Sequence, residues 1–405
     1  MTTPRADLRN PGVPGDAGIL ESRLTGLPVE EFARQIWSRD ALLTRRASDF
    51  SDVFDADAVD ELVSRRGLRT PFLRVAKNGA VLPESSYTAS GGVGATVADQ
   101  VDDTALWRLF ADGATLVLQA LHRAWAPVGD LCARLGAELG HPVQANAYVT
   151  PPQNRGFDDH YDVHDVFVVQ IQGRKRWLVR EPVHRDPLRR QPWTDHRAAV
   201  AEAAQGPAYL DTVLEPGDVL YLPRGWLHAA EARGEVSVHL TLGVHVWTRY
   251  ALAEQMAEAA LAALREDPEM RGSLPLGADG TAWETEGVRK RLAAAVEEAD
   301  PAPLFHRARR GQERPAPLGP LAQLTAVDAL GPRSPVRLRE ALEARLEGAR
   351  LLTRVGWLDF PEAELPVIRR LLDGEVRTAG DLGLALAERL LRAGVLVPGR
   401  SSGPR

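Results

Sequence analysis

Two stretches carry the residues able to do chemistry. The first is Gly156-Phe157-Asp158-Asp159-His160-Tyr161-Asp162, which runs on into the apolar segment Val163 to Gln170. The second is Pro216-Gly217-Asp218-Val219-Leu220-Tyr221-Leu222-Pro223-Arg224-Gly225-Trp226-Leu227-His228. In an extended chain, residues i and i+2 share a face, so the His160 imidazole and the Asp162 carboxylate converge on one point. The turn Pro223-Arg224-Gly225-Trp226 can swing His228 in from a later strand. Two imidazoles and one carboxylate on one side of an octahedral ion form the facial set of non-haem Fe(II) oxygenases. Three positions stay open, two for a bidentate 2-oxo acid and one for O2. Either piece alone is commonplace; together, each beside an apolar strand-like run, they point to a metal. His164 and Asp165 compete as ligands, but Asp165 lies three residues past Asp162 and would face away in a strand. Asp158 and Asp159 read as loop residues or supports of the ligands.

A dicarboxylate co-substrate needs a cation deep in its pocket. The cluster Arg174-Lys175-Arg176 stands at a turn between two strand-like runs. One of the three can point inward, but local spacing does not select it, and a solvated hairpin tip explains all three equally well. The glycine-rich Ser90 to Gly94 lacks the spacing of a phosphate-binding loop and reads as a plain loop.

The elements that must position these groups follow from periodicity. Strand-like runs are Thr70 to Ala76, Gly113 to Leu118, Val143 to Thr150, Asp165 to Gln172, Arg176 to Arg180, Ala208 to Leu214, Val219 to Leu222 and Val236 to Val244. In Val143 to Thr150, Asn146, Tyr148 and Thr150 share a face. Leu24 to Ala47 has helix-like segments, and Asp55 is an N-cap for a short helix over Ala56 to Arg65. Ala120 to Gly140 is a long amphipathic helix that Pro127 kinks or splits. Short strands with Gly, Pro and Asp turns, interrupted by one polar insertion around Val183 to Gln205, predict a jelly-roll barrel. After Trp247 the texture becomes helical, over Tyr250 to Leu264 and Glu286 to Glu298. A proline-punctuated, linker-like stretch from Asp300 to Pro317 follows, then helices over Phe360 to Leu372 and Leu382 to Ala393.

Asn146 to Trp177 together with Gly217 to Leu242 resembles the JmjC/cupin-type 2-oxoglutarate oxygenases, specifically the ribosomal oxygenase group. The motif core is Thr150-Pro151-Pro152, His160-Tyr161-Asp162 and Gln170 to Trp177. The resemblance implies a mainly β double-stranded β-helix, or jelly roll, with an α-helical dimerisation region and a C-terminal winged-helix-like α+β module. It divides the chain into a disordered lead at 1–20, a catalytic domain at 21–247, a helical dimerisation region at 248–320 and a winged-helix-like domain at 321–405. It implies Fe(II), 2-oxoglutarate and O2 as the reacting partners and a protein or peptide substrate, such as a ribosomal protein His or Arg. His160, Asp162 and His228 match the iron ligands, and Lys175 matches the base that pairs with the 2-oxoglutarate carboxylate. Asn146, Tyr148 and Thr241 match positions lining the co-substrate pocket.

Composition bounds the alternatives. The 405 residues carry a formal charge of −6 and one cysteine, Cys132. An intramolecular disulfide and a multi-cysteine zinc site are thereby excluded, and a cytoplasmic location is expected. Cys132 lies in an apolar helical pattern and reads as a buried, inert thiol. The acidic balance argues against direct nucleic-acid binding, and no apolar run could span a bilayer. Competing readings are a hydroxylase of a peptide natural product or small molecule, a catalytically silent cupin scaffold, and a metal-dependent cupin of other chemistry. The intact ligand set with Lys175 stands against the last two.

Overall fold

The computed structural model describes residues 8–9, 18–152, 154, 157–274, 276, 285–310 and 314–399. The chain divides into two units, Met1–Val246 and Trp247–Arg405. Most of the expected N-terminal lead lies outside the described residues. Its end does not, and Ile19 and Leu20 are buried in the first unit's core.

Ten strands carry the first unit's site: β1 (Leu42–Arg45), β2 (Leu73–Lys77), β3 (Thr115–Leu118), β4 (Val143–Thr150), β5 (Asp165–Gln172), β6 (Lys175–Arg180), β7 (Leu210–Leu214), β8 (Val219–Leu222), β9 (Leu227–Ala232) and β10 (Ser237–Val244). The large sheet runs Leu8–Arg9, β1, β8, β5, β10, β4, β3, β2, Ala80–Val81. The small sheet runs β7, β6, β9. β2, β3 and β4 pair in chain order, as do β6 and β7, but from β5 to β10 the chain crosses repeatedly between the two sheets and so winds as a jelly roll.

Burial explains why the strands read as apolar throughout rather than alternating. On β5, Val166 and Val168 join the interior cluster shared with Trp177, Val179, Leu214 and Trp226. Phe167 and Val169 point the other way, into a core with Phe32 and Tyr221. Phe32 meets Tyr221 edge-on at 5.0 Å, and Phe167 meets Tyr221 at 5.0 Å. The large sheet is therefore covered on both faces, which removes the polar half of the pattern. Each aromatic so buried contributes about 2–3 kcal/mol.

Several elements depart from the sequence-based expectation. β1 lies inside the segment read as helix-like; its Leu42, Leu43 and Thr44 are buried on both faces, a short apolar run that periodicity alone cannot assign. β9 was not expected, because Leu-His-Ala-Ala-Glu-Ala has little β propensity; cross-strand pairing to β6 imposes it. The helix over 120–140 splits into Leu121–Ala124 and Ala126–Leu139, with Pro127 in the first turn of the second, where its missing N–H costs nothing. The linker-like stretch holds a helix, Pro301–Arg310. Asp55 does cap Ala56–Arg65, its Oδ1 accepting from Ala58 N at 2.7 Å.

In the second unit, helix Arg249–Glu266 packs with Thr285–Glu298 and Pro301–Arg310. An α+β module follows. Pro335–Leu338 pairs with Arg377–Thr378 and Leu396–Pro398, and Arg345–Glu347, Arg350–Thr353 and Gly356–Asp359 form a second three-stranded sheet. Helices Leu365–Leu371 and Leu384–Arg392 bury Ile368, Leu386 and Leu390 against Leu396.

Candidate metal centre and its pocket

His160 and His228 are joined before any side chain is considered. His228 N donates to His160 O at 2.9 Å, and His160 N donates to His228 O at 3.3 Å. This reciprocal pair is an isolated antiparallel bridge between the start of β9 and the segment leading into β5. Two residues on, Gly225 N donates to Asp162 O at 3.0 Å. Gly225 has φ +88°, and a Cβ there would crowd the carbonyl oxygen of His184, so the turn before His228 needs glycine.

The side chains finish what the backbone begins. One ligand atom from each of His160, Asp162 and His228 lies within 4.8 Å of the others. His228 Nε2 is 3.8 Å from Asp162 Oδ2. His160 Nδ1 donates to the Asp158 carbonyl at 2.7 Å, and His228 Nδ1 to the Trp226 carbonyl at 3.1 Å. Each bond fixes the tautomer that leaves Nε2 as a lone-pair donor facing the same space. Burial, reinforced by the neighbouring His160, lowers the His228 pKa to about 4, so its ring is neutral. Burial pushes the Asp162 carboxyl up, but His164, His228, His160 and Arg74 together outweigh it and hold it below its ordinary value. A neutral imidazole and an ionised carboxylate are the forms that bind metal.

The remaining candidates separate clearly. Asp165 is fully buried in another direction, its Oδ2 accepting from Tyr221 Oη at 2.5 Å and its Oδ1 from Arg224 N at 3.1 Å. His164 stands beside Asp162 electrostatically and packs edge-on to His245 at 5.3 Å. Asp159 pairs with Arg180 at 2.5 Å. Of the three basic residues, only Lys175 points inward, 3% exposed. Arg174 pairs with Glu235 and Arg176 with Asp211 at the surface.

Lys175, the ligand trio, Tyr148 and Thr241 line one cavity. Lys175 Nζ donates to Thr150 Oγ1 at 3.1 Å and lies 3.4 Å from His239 Nδ1. Among the described residues no carboxylate pairs with it, and burial lowers its pKa to about 7. Asn146 does not line the cavity. Its Oδ1 accepts from Ala120 N at 3.0 Å, and its side chain hydrogen-bonds Tyr148. Burial pushes the Tyr148 hydroxyl up to about 12, so it is a neutral donor.

Sequence reasoning missed His239, Trp177 and Thr115, which line the same cavity. His239 is the register partner of Tyr148, and their rings stack at 4.8 Å and 3°. The signal was present: His239 lies two residues before Thr241, and Trp177 two after Lys175, so alternation puts each on the face already named.

The chain is similar to known proteins. Residues 125–252 match the family described as the JmjC domain. The chain is 32% identical over 265 residues to ribosomal oxygenase 1 of Rattus norvegicus, covering 64% of this chain and 42% of the relative. It is 28% identical over 270 residues to the bifunctional lysine-specific demethylase and histidyl-hydroxylase NO66 of Drosophila erecta, covering 64% and 38%. The chain thus spans about two-fifths of the length of the curated relatives it matches. Among solved structures, it superposes on YcfD, a ribosomal oxygenase from Escherichia coli, with a TM-score of 0.57 at 20% identity, covering 93% of this chain and 99% of that one. A structure of YcfD with cobalt and 2-oxoglutarate superposes with a TM-score of 0.55 at 18% identity, covering 92% and 98%. At these identities the likeness establishes the fold.

Proposed function

We propose that this chain, a JmjC-domain protein similar to the ribosomal oxygenases, is an Fe(II)- and 2-oxoglutarate-dependent oxygenase that hydroxylates a protein or peptide side chain. One observation carries the reading: the cavity that holds the His160–Asp162–His228 trio also holds Lys175, a buried cation with no carboxylate of its own. A facial metal site and a counter-charge for a dicarboxylate in one cavity are what a 2-oxo acid co-substrate requires.

His160, Asp162 and His228 would hold the iron. Bound there, iron with 2-oxoglutarate and O2 supplies the oxidation of a C–H bond, with succinate and CO2 as by-products. The chain's own residues do the rest. The Asp158 and Trp226 carbonyls keep the two imidazoles in the ligating tautomer. Lys175 takes the far carboxylate of the co-substrate, and Tyr148 and Thr241 add hydroxyls along the same wall. Trp177, 4% exposed, excludes water from that end.

The substrate is a ribosomal protein His or Arg in this reading, supported by the names of the relatives, one of which is a histidyl-hydroxylase. Comparing ribosomal proteins from wild-type and deletion strains by mass spectrometry tests it; a loss of one oxygen is expected. An unchanged ribosome would transfer the reading to a peptide natural product or small molecule. The protein works as a homodimer through residues of about 250–320 and in the cytoplasm, the latter supported by its single cysteine, Cys132. No described helix is long and apolar enough to cross a membrane. The α+β module after residue 320 is winged-helix-like and serves packing or assembly rather than nucleic-acid binding, in keeping with the −6 charge.

The direct test is turnover. Purified protein converts 2-oxoglutarate to succinate only with Fe(II), and His160→Ala abolishes both metal binding and turnover. Succinate formation surviving that change would sink the ligand assignment.

A further inference from the structure

The excursion between β6 and β7, residues 183–205, is fastened at each end of the metal trio. Tyr161, between His160 and Asp162, donates its hydroxyl to the Gln191 carbonyl at 3.1 Å. The Gln191 side chain in turn accepts from Leu188 N at 2.9 Å and meets His184 Nε2 at 3.2 Å, which holds the excursion in one shape. Near the other histidine, Arg224 pairs with Asp186 at 3.0 Å. Leu227, the residue before His228, is buried together with Tyr161 and with Val200 from the excursion's helix Arg197–Ala203, and Trp193 packs on that cluster.

This anchoring delivers Trp193 to the site. Its ring centroid lies 6.5 Å from that of His160. Phe157, which lines the cavity, approaches the same imidazole at 6.0 Å, packs on Tyr148 and carries the Arg74 guanidinium over its ring. Among the described residues, these are the aromatic rings near His160 besides His228. Trp193 stays half-buried, although its indole packs on an apolar cluster and carries Arg197 over one face at 4.8 Å. An indole held this firmly and left partly open beside a candidate ligand is placed to receive something.

We propose that residues 183–205 form a wall of the reaction site and that Trp193 is a specificity-determining residue: the target side chain enters between Trp193 and Phe157 and stacks its planar group on the Trp193 indole. The occupant is an extended peptide bearing a planar π side chain, such as imidazole or guanidinium. The inference rests on the oxygenase reading above and adds a residue and a segment to it.

The test uses the 405-residue chain loaded with Fe(II), with acid-extracted ribosomal proteins as probe, reading succinate formation against probe concentration. Trp193→Ala is expected to raise the half-stimulating concentration roughly tenfold while the maximal rate stays within about twofold. Trp193→Phe should recover most of that loss. An unchanged half-stimulating concentration overturns the wall. So does a fall in maximal rate that parallels weaker Co(II) binding, because Trp193 would then only support the fold. If the wild-type protein forms no Fe(II)-dependent succinate, the oxygenase reading itself fails and takes this one with it. If it forms succinate without stimulation by the probe, prolonged turnover followed by peptide mapping decides. Each event uses one O2 and one 2-oxoglutarate and gives succinate, CO2 and one oxygen inserted into a nearby C–H bond. Insertion at Trp193 or Phe157 keeps the wall, and its absence from both overturns it.

Discussion

Lys175 carries its ammonium into a cavity where a hydroxyl and an imidazole meet it but no described carboxylate does. Burying a lone charge is costly, and the depressed pKa of about 7 against an ordinary 10.5 expresses that cost. Between those two values the unfolded chain binds more protons than the folded one. Stability of the ligand-free protein therefore gains from this group as pH rises through that window. A carboxylate beside Lys175 reverses the preference and draws a proton in. Affinity for 2-oxoglutarate should accordingly fall by up to tenfold per pH unit above about 7, with proton uptake on binding; titration calorimetry of the Co(II)-loaded protein in buffers of different ionisation enthalpy measures both. Lys175→Ala should weaken 2-oxoglutarate binding by about 2 kcal/mol or more and flatten the pH dependence, with the metal still bound. Loss of metal would instead make Lys175 a structural residue. Local spacing alone left Arg174, Lys175 and Arg176 equivalent, because a turn does not declare which side chain faces in, and only the family resemblance singled out Lys175. The register of β6 distinguishes them, with Lys175 opposite Leu214 and Ala232. The residues His160 and Asp162 were legible because alternation is a local rule. Asn146 was legible only as a face: it shares one with Tyr148 by alternation, and it bonds Ala120 and Tyr148 rather than lining the cavity.

The elements differ in how far local sequence determines them. β4, β5 and β8 match their sequence-based bounds, since each is a β-branched or aromatic run flanked by turn residues. β9, which carries His228, was invisible because alanine-rich sequence becomes a strand only when β6 is there to pair with it. The excursion's helix Arg197–Ala203 was read only as polar sequence. Its one fully buried side chain, Val200, finds its partners Tyr161 and Leu227 far away in the chain. Turns were more legible. Gly173, between β5 and β6, has φ +65°, and a Cβ there would collide with the Val236 carbonyl oxygen. Gly173→Ala is expected to destabilise the protein by about 2 kcal/mol, seen as a lowered Tm. Because Lys175 lies two residues on, the same variant should weaken 2-oxoglutarate binding more than metal binding. Equal loss of both would mean that the turn does not set the position of Lys175.

At the scale of the molecule, the change of texture after Trp247 was the most legible boundary, and the two units divide at Val246 and Trp247. The helices of the second unit leave Tyr250 55%, Leu261 59%, Val288 47% and Leu292 38% exposed. These side chains would be covered in the homodimer proposed for residues of about 250–320. Sedimentation velocity at micromolar concentration should therefore give a dimer, and Leu261→Glu with Val288→Glu should give monomers that keep the thermal transition of the first unit. A wild-type monomer would remove the dimer. What composition could not reveal was which of these helices touch: Pro301–Arg310 lay hidden in proline-punctuated sequence, because proline is tolerated in a helix's first turn.

The backbone bridge between His160 and His228 has a consequence for the protein in a living cell. Main-chain hydrogen bonds tie those two residues together. The backbone thus sets the spacing of two of the three donors, and two imidazoles with a carboxylate suit many divalent ions. Selection then passes from shape to supply, and zinc, cobalt or nickel compete for the same three donors on equal or better terms than iron. Protein from an iron-poor or zinc-rich culture should emerge folded, stable and largely mismetallated, its specific activity tracking iron content rather than protein concentration.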